Sequence, residues 1–242
     1  MKIAFFSDIH ANLPALEAFF KAVDAEHVDA IYCLGDLVGY NIWPNEVVNE
    51  IRKRHIPTIM GNHDEALLLP MSKEVKPSNK GLTRALVTDS NRDYLINLPR
   101  QLSLNFTTND KPFNLLMVHG SVKAINDYMV ADYPEIDVLA MLKSQQADVL
   151  LCGHTHRPFH RVIKNGNDYK HVVNIGSVGK PKDGDPRLCY AILELNQSSS
   201  KSNKDAIKVT FKRANYDVEK AAKAVEASEF DKAYAKALRL AK

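Results

Sequence analysis

The sequence predicts an α/β fold. Over the first 65 residues short apolar runs alternate with longer amphipathic ones, a βαβαβ order that implies a parallel sheet with right-handed crossovers. After Cys152 strand-like runs follow one another without helices between them, so a second sheet of antiparallel or mixed strands is expected. No internal repeat, heptad run or second core interrupts the 242 residues, which favours a single domain over 1–242.

Ile3–Phe6 reads as a buried strand and Leu13–Asp24 as a helix. Ala30–Leu34 is the next strand, and Pro44–Arg54 a helix with proline in its first turn, where an N–H would have no intrahelical partner. Thr58–Met60 is read as a third strand, residues 71–81 (MSKEVKPSNKG) as a polar loop and Leu82–Ile96 as a helix. Gln101–Thr107 and Asn114–Val118 are strands, and a helix at Glu135–Ser144 leads into the strand Val149–Cys152. Phe159–Ile163, His171–Asn174, Cys189–Leu195 and Ile207–Lys212 follow as strands separated by turn-rich pieces such as KNGND. QSSSKSNKD (197–205) is a polar hairpin loop, because a strand-like run resumes directly after it. The Ala-rich end is expected to form one helix over about 217–240, packed across the body.

With 45% hydrophobic and 25% charged residues the composition is that of a globular protein, which excludes collagen-like, disordered and disulfide-scaffold classes. Cys33, Cys152 and Cys189 cannot all pair and sit in apolar runs, so they are read as buried small hydrophobes in a reducing compartment. No apolar run is long enough for a signal peptide or a membrane span, so a cytoplasmic protein with no membrane partner is expected. The formal charge of +3 hides an asymmetry: residues 1–64 carry five Lys/Arg against nine Asp/Glu, residues 151–242 eighteen against ten. The basic last third suits an anionic ligand or a solvated surface. It lacks the interleaved aromatic residues of a nucleic-acid binder, so no nucleic-acid partner is expected.

Five polar clusters carry the chemistry: SDIHAN (7–12), GDLVGY (35–40), GNHDE (61–65), VHGS (118–121) and GHTH (153–156). The first four close an apolar strand or sit just beyond one, and in α/β sheets loops at the carboxyl ends of parallel strands converge on one crevice. They bring together Asp8, His10, Asp36, Asn62, His63, His119, His154 and His156, all groups that ligate metals or transfer protons. Alternation along an extended segment would put Asp8 and His10 on one side, and likewise His154 and His156. Mixed imidazole, carboxylate and amide ligands suit Mn, Fe, Zn, Ni or Co better than Ca. Each cluster alone reads equally well as ordinary surface or core residues; their order carries the inference.

These motifs are similar, in order, to those of the calcineurin-like metallophosphoesterase superfamily: D-x-H, G-D, G-N-H-D/E, H and G-H-x-H. With ANLPALEAF, PNEVVNEI and NIGSVGKPKDGDPR, the chain from Lys2 to about Tyr216 resembles the small bacterial and archaeal phosphodiesterase branch. The resemblance implies two mixed β-sheets packed as a sandwich and flanked by helices, a four-layer αββα fold. It implies two divalent metal ions, one held by Asp8, His10 and His156, the other by Asn62, His119 and His154, with Asp36 bridging. His63 matches the catalytic histidine that does not bind metal. The activity implied is hydrolysis of a phosphate ester, most simply a diester, by in-line attack of a hydroxide bridging the ions, with His63 as general acid. The substrate expected is a small phosphate ester or nucleotide-like molecule. Manganese heads the list of metals, and an oligomer is compatible. A monoesterase, a dinucleoside polyphosphate hydrolase and a non-catalytic scaffold of the same fold are the alternatives.

Asp64 is expected to orient His63. In protein-phosphatase relatives a carboxylate three residues after the bridging Asp does so, and here that position is Gly39, which argues against a protein-phosphatase role. Asn12 reads as a phosphate contact by resemblance or as a cap on the helix that starts at Leu13. Tyr40, Asn41 and Trp43 are candidates for a lip around the leaving group, with core packing as the alternative for Trp43. Lys180, Lys182 and Arg187 are expected either to border the crevice or to lie in a solvated loop. His27, His55, His160 and His171 have no partner spacing and are read as structural.

Overall fold

In the computed structural model, which describes residues 1–68, 78–108 and 111–242, the strand β1 (Lys2–Phe6) sends Ile3 and Phe5 to one face and Ala4 and Phe6 to the other. All four side chains are buried, so a layer must cover each face of the sheet. Helices α1 (Leu13–Asp24) and α2 (Pro44–Lys53) cover one face, burying Leu16, Phe19, Val47 and Ile51 with Ala4 and Phe6. A second sheet covers the other, contributing Leu115, Met117, Val149, Leu151 and Val173. The outer face of that sheet buries Leu116, Leu150 and Val172 beneath Val138, Met141 and Leu142 of helix α6 (Glu135–Ser144).

Both sheets are mixed. In the first, β1 pairs in parallel with β2 (Ala30–Cys33), Ile3 opposite Ala30, and antiparallel with β8 (Leu188–Glu194), which pairs antiparallel with β9 (Lys208–Ala214). The second comprises β3 (Gln101–Thr108), β4 (Lys111–Val118), β5 (Val149–Cys152), β6 (Phe159–Asn165) and β7 (Asp168–Asn174), in the order β3-β4-β5-β7-β6. Here β4, β5 and β7 run parallel, and the two edge strands are antiparallel. This is the expected αββα layering of two mixed sheets flanked by helices.

Several sequence expectations are corrected. The strands after Cys152 do not make a sheet of their own: β6 and β7 extend the second sheet, while β8 and β9 cross to the first. The apolar alternation that marks a strand does not say which sheet accepts it. Thr58–Met60 forms only an isolated bridge, Cys33 to Thr58. Residues 71–77 of the expected polar loop lie outside the described residues, and Asn79–Gly81 are helical. The helix expected at Leu82–Ile96 is two, α4 (Asn79–Leu86) and α5 (Asp89–Ile96). Asn45 separates them, its amide donating to Leu86 O (2.7 Å) and its carbonyl accepting from Thr88 N (2.9 Å). The terminal helix is likewise two, α7 (Val218–Glu226) and α8 (Ala233–Leu240). Between them Ser228 Oγ accepts from Phe230 N (3.2 Å) and Asp231 Oδ1 from Ala233 N (2.8 Å), side-chain bonds that compete with the helical ladder.

Cys33, Cys152 and Cys189 are free and buried, and burial pushes their thiols up, as the structural reading requires. Among the described residues no helix is long and apolar enough to cross a membrane.

Candidate metal centre

Helix α3 (Asn62–Glu65) and the loops after β1, β2, β4 and β5 meet where the two sheets face each other. The first two loops run side by side and bond through their backbones: Asp8 N donates to Gly35 O (3.0 Å), His10 N to Asp36 O (2.9 Å) and Ala11 N to Leu37 O (2.7 Å). The sheets are joined across the site by His154 N donating to Asp8 Oδ2 (3.1 Å) and His119 Nδ1 donating to Leu34 O (2.7 Å).

The convergence is not achieved by extended alternation. Asp8 (φ 56°), His10 (52°), Asp36 (54°), His154 (63°) and His156 (59°) are all left-handed. Such positions cost on the order of 1–3 kcal/mol each and persist only where surroundings over-determine them. GNHD opens α3, and its first-turn geometry separates Asn62 from His63. A Cβ on Gly61 would collide with the Asp36 carboxylate, so the chain can pass here only as glycine.

Three sets of side chains bring their ligand atoms within 4.8 Å of one another: Asp8 with His10 and His156, Asp36 with His119 and His154, and His10 with Asp36 and His63. Asn62 Oδ1 lies 3.2 Å from His119 Nε2, at the edge of the second set. His119 Nε2 is 3.3 Å from Asp36 Oδ2, and His10 Nε2 is 3.6 Å from the same atom, so Asp36 stands between the first two sets. His10 Nδ1 donates to Val38 O (3.0 Å), and His156 Nδ1 to Lys180 O. A backbone carbonyl only accepts, so His10, His119 and His156 each hold a proton on Nδ1 and present Nε2 to the cluster.

The donor set fits divalent metal. Asp8 Oδ1 and His154 Nε2 are buried with no hydrogen-bond partner among the described residues, and both point into the cluster. The charges fit as well. Burial raises Asp8 and Asp36, but the surrounding imidazoles outweigh it and hold both carboxyls well below the usual range. Burial pushes His10 down to about 3, keeping it neutral, while Asp36 overcomes burial at His119 and lifts it to about 10. A cation at the cluster would take the place of that proton.

His63 lies beside the cluster. Its ring centroid is 4.9 Å from that of His10 and 4.6 Å from that of Tyr40, and burial lowers it below the ordinary histidine value although Asp36 acts the other way. Gly39 (φ 94°) underlies the ring: a Cβ there would stand 2.5 Å from His63 Nδ1. Contrary to the expectation from the sequence, Asp64 does not orient His63. Its carboxylate turns away to accept from the backbone N–H groups of Asp36 (2.8 Å), Leu37 (3.0 Å) and Gly61 (3.0 Å), and so fixes the loop that carries Asp36.

Asn12 is a cap. Its Oδ1 accepts from Ala15 N (3.2 Å) and its amide donates to Gly179 O (2.8 Å) and Tyr216 Oη (3.3 Å), the geometry of the capping reading. Asn41 is also internal, donating to His10 O (2.8 Å), and Trp43 caps α2 half-buried. Tyr40 does form a wall of the crevice, left-handed at φ 63°, with its ring against His10, His63 and Tyr234. Lys180 Nζ lies 4.9 Å from the Tyr40 ring centroid, whereas Arg187 pairs with Asp185 in an exposed loop. His160 and His171, read as unpartnered, bond each other (3.1 Å) in the second sheet. Sequence reasoning missed Tyr128, whose ring is 59% exposed yet lies 4.6 Å from that of His154. It sits in an irregular segment with no motif or periodicity to mark it.

The family model for the Calcineurin-like phosphoesterase superfamily domain matches residues 1–198. The chain belongs to this superfamily. It is similar to an uncharacterised protein of Methanocaldococcus jannaschii, 31% identical over 236 residues that span 90% of this chain and 89% of that one. Among solved structures it is similar to a metallophosphoesterase of Sphaerobacter thermophilus, with 28% identity, a TM-score of 0.79 and full coverage of both chains. A hypothetical protein of Pyrococcus horikoshii shares the fold, with a TM-score of 0.77 at 20% identity over 98% of this chain and 97% of that one. Superfamily membership makes the divalent-metal reading of the Asp and His clusters the coherent one.

Proposed function

We propose that the chain is a dinuclear metal-dependent phosphoesterase acting on small or nucleotide-like phosphodiesters. The observation that carries this is the convergence of Asp8, His10, Asp36, His119, His154 and His156 on one buried cluster with orphaned ligand atoms. The preference for diesters rests on the likeness of the motifs to the phosphodiesterase branch.

Asp8, His10 and His156 would hold one ion, and Asn62, His119 and His154 the other, with Asp36 between them. Such a pair neutralises the phosphoryl oxygens and lowers the pKa of a coordinated water, and manganese is the ion to try first. The chain supplies the rest. Asp64 holds the loop carrying Asp36, and the carbonyls of Val38, Leu34 and Lys180 fix three imidazoles in the Nδ1–H form. His63 donates a proton to the departing ester oxygen. Its ring is held by Gly39 below and Tyr40 beside it, without a carboxylate on Nδ1 among the described residues. The reading places the protein in the cytoplasm as one domain, without a membrane or nucleic-acid partner.

The test is to strip metal with a chelator, restore manganese, and assay bis(4-nitrophenyl) phosphate and 4-nitrophenyl phosphate with wild type and His63→Ala. Metal-dependent hydrolysis of the diester is the expected result, with only a modest loss in His63→Ala because nitrophenolate departs without a proton. A metal-loaded wild type inactive on both activated esters would overturn the reading.

A further inference from the structure

Tyr40 is left-handed at φ 63°, a conformation that a bulky residue keeps only where its surroundings over-determine it. Its hydroxyl forms no hydrogen bond among the described residues, so contacts of the ring set the side chain. Two of them belong to the metal centre: the His63 ring centroid lies 4.6 Å away and that of His10 4.7 Å. Lys180 Nζ, 4.9 Å from the Tyr40 centroid, adds a cation–π contact. The remaining ring comes from far along the chain. Tyr234, in α8, meets Tyr40 edge to face, with centroids 4.8 Å apart and planes at 83°.

Tyr234 is itself pinned. Its hydroxyl accepts from Asn79 Nδ2 (2.7 Å) at the start of α4, and Asn79 Oδ1 accepts from Asp231 N (3.4 Å) in the turn before α8. Its ring packs on a small core in which Val225, Phe230 and Ala235 meet Ile42 and Leu82. Helices α7 and α8 lie wholly outside residues 1–198, so this support reaches the metal centre from beyond the part of the chain that the family model matches. We propose that Tyr234 is a positioning residue of the phosphoester reaction: it holds the Tyr40 ring against His63, and Tyr40 together with Gly39 fixes the imidazole that gives its proton to the departing oxygen. This rests on the phosphoesterase reading above and adds to it a residue that acts through two rings. Packing has this task because no side-chain hydrogen bond orients the His63 ring among the described residues.

The placement is tested first without metal or turnover. The imidazole C–H resonances of metal-free wild type, Tyr234→Phe, Tyr234→Leu and Tyr234→Ala are compared by NMR, that of His63 being assigned by its loss in His63→Ala. The ring current of Tyr40 makes this resonance sensitive to the distance between the two rings. Tyr234→Phe loses the bond to Asn79 but keeps the aromatic ring, so the resonance should stay in place. Tyr234→Leu and Tyr234→Ala remove the ring and should shift it. Leucine keeps much of the apolar volume against Ile42 and Leu82, and so decides the matter if the alanine variant fails to fold. An unmoved His63 resonance in the folded variants that lack the ring overturns the proposal.

A second measurement compares kcat of the metal-loaded proteins on bis(4-nitrophenyl) phosphate and on diphenyl phosphate, whose leaving oxygen is more basic and gains more from a proton. Tyr234→Leu should lose about tenfold on diphenyl phosphate, part of the 10²–10⁴-fold that a general acid contributes, and little on the nitrophenyl ester; Tyr234→Phe should behave as wild type on both. Equal losses on the two esters, no loss on either, or a wild type active on the nitrophenyl ester alone overturns the positioning role and leaves the phosphoesterase reading standing. A wild type inactive on both esters overturns that reading and the catalytic part of the proposal with it, and the resonance still decides whether Tyr234 holds Tyr40 against His63.

Discussion

The Nε2 atoms of His10 and His156 lie 3.1 Å apart, and neither can donate to the other while its ring is neutral. Each ring keeps its proton on Nδ1, where Val38 O and Lys180 O accept it. Two lone pairs therefore face one another, with the unpartnered Asp8 Oδ1 3.1 Å from His156 Nε2. Such an arrangement is repulsive unless a positive charge sits among the three atoms.

Divalent metal should accordingly stabilise the fold. Adding manganese to chelator-treated protein raises the melting temperature, by the equivalent of about 2.7 kcal/mol at a hundredfold excess over Kd. His156→Ala should abolish most of that rise and lower the metal content. Differential scanning fluorimetry with elemental analysis reads both, and an unchanged melting temperature in wild type would contradict the ligand assignment.

His63→Ala should lower kcat by about 10²–10⁴-fold on an ester with a poor leaving group and much less on a nitrophenyl ester, whose oxygen departs without a proton. Metal content should not change. Because burial depresses His63 and only the protonated ring donates, activity attributable to it falls as pH rises through its lowered pKa. That limb of the pH–rate profile should vanish in the variant.

Gly39→Ala tests the seat of His63. The left-handed backbone alone makes alanine unfavourable by about 1–2 kcal/mol, and the new methyl would push on Nδ1. The variant should bind metal, melt lower, and lose activity on poor leaving groups as His63→Ala does. Full activity at a lowered melting temperature would show that the ring tolerates displacement.

His171 offers a pH test away from the metal centre. It is buried against His160, and burial, helped by His160, lowers it to about 4 from an ordinary 6.5. The unfolded chain therefore takes up this proton first as pH falls. Stability is complete above pH 6.5 and is lost between about 6.5 and 4, by on the order of 2–3 kcal/mol. In His171→Gln the melting temperature should depend less steeply on pH over that window.

Tyr128→Ala should raise KM for esters with an aromatic substituent, and Tyr128→Phe should restore it, because the exposed ring beside His154 offers a stacking face rather than a hydroxyl. Equal KM values for aryl and alkyl esters in Tyr128→Ala and wild type would remove it from the site.

Asp8, His10, Asp36, Asn62, His119, His154 and His156 were legible in the sequence because each sits at the end of an apolar run, in a motif whose order is distinctive. Their means of convergence was not legible. Asp and His enter the left-handed region more readily than most residues, but which of them do so here goes with tertiary bonds: those between the loops after β1 and β2 at Asp8, His10 and Asp36, and the bond from His154 N to Asp8 in the loop after β5. Asn12 and Asp64 were recognised as polar residues near the motifs, but their partners, Gly179 O and the amides of residues 36 and 37, are distant in sequence. Tyr128 carried no signal at all.

Most strands and helices were likewise written locally, in periodicities of two and of 3.6. Two helices were broken by side chains that bond backbone groups, Asn45 from a distant helix and Ser228 and Asp231 from within the turn. The sequence by itself determined which residues would be buried, where strands end, and which side chains can bind metal or move protons, since these follow from hydrophobicity, period and functional group. Tertiary structure alone decided that β8 and β9 leave their neighbours for the other sheet and that Asp64 serves the backbone. Each depends on groups meeting across long stretches of chain, where packing and hydrogen-bond satisfaction over the whole fold choose among partners that local sequence leaves equivalent.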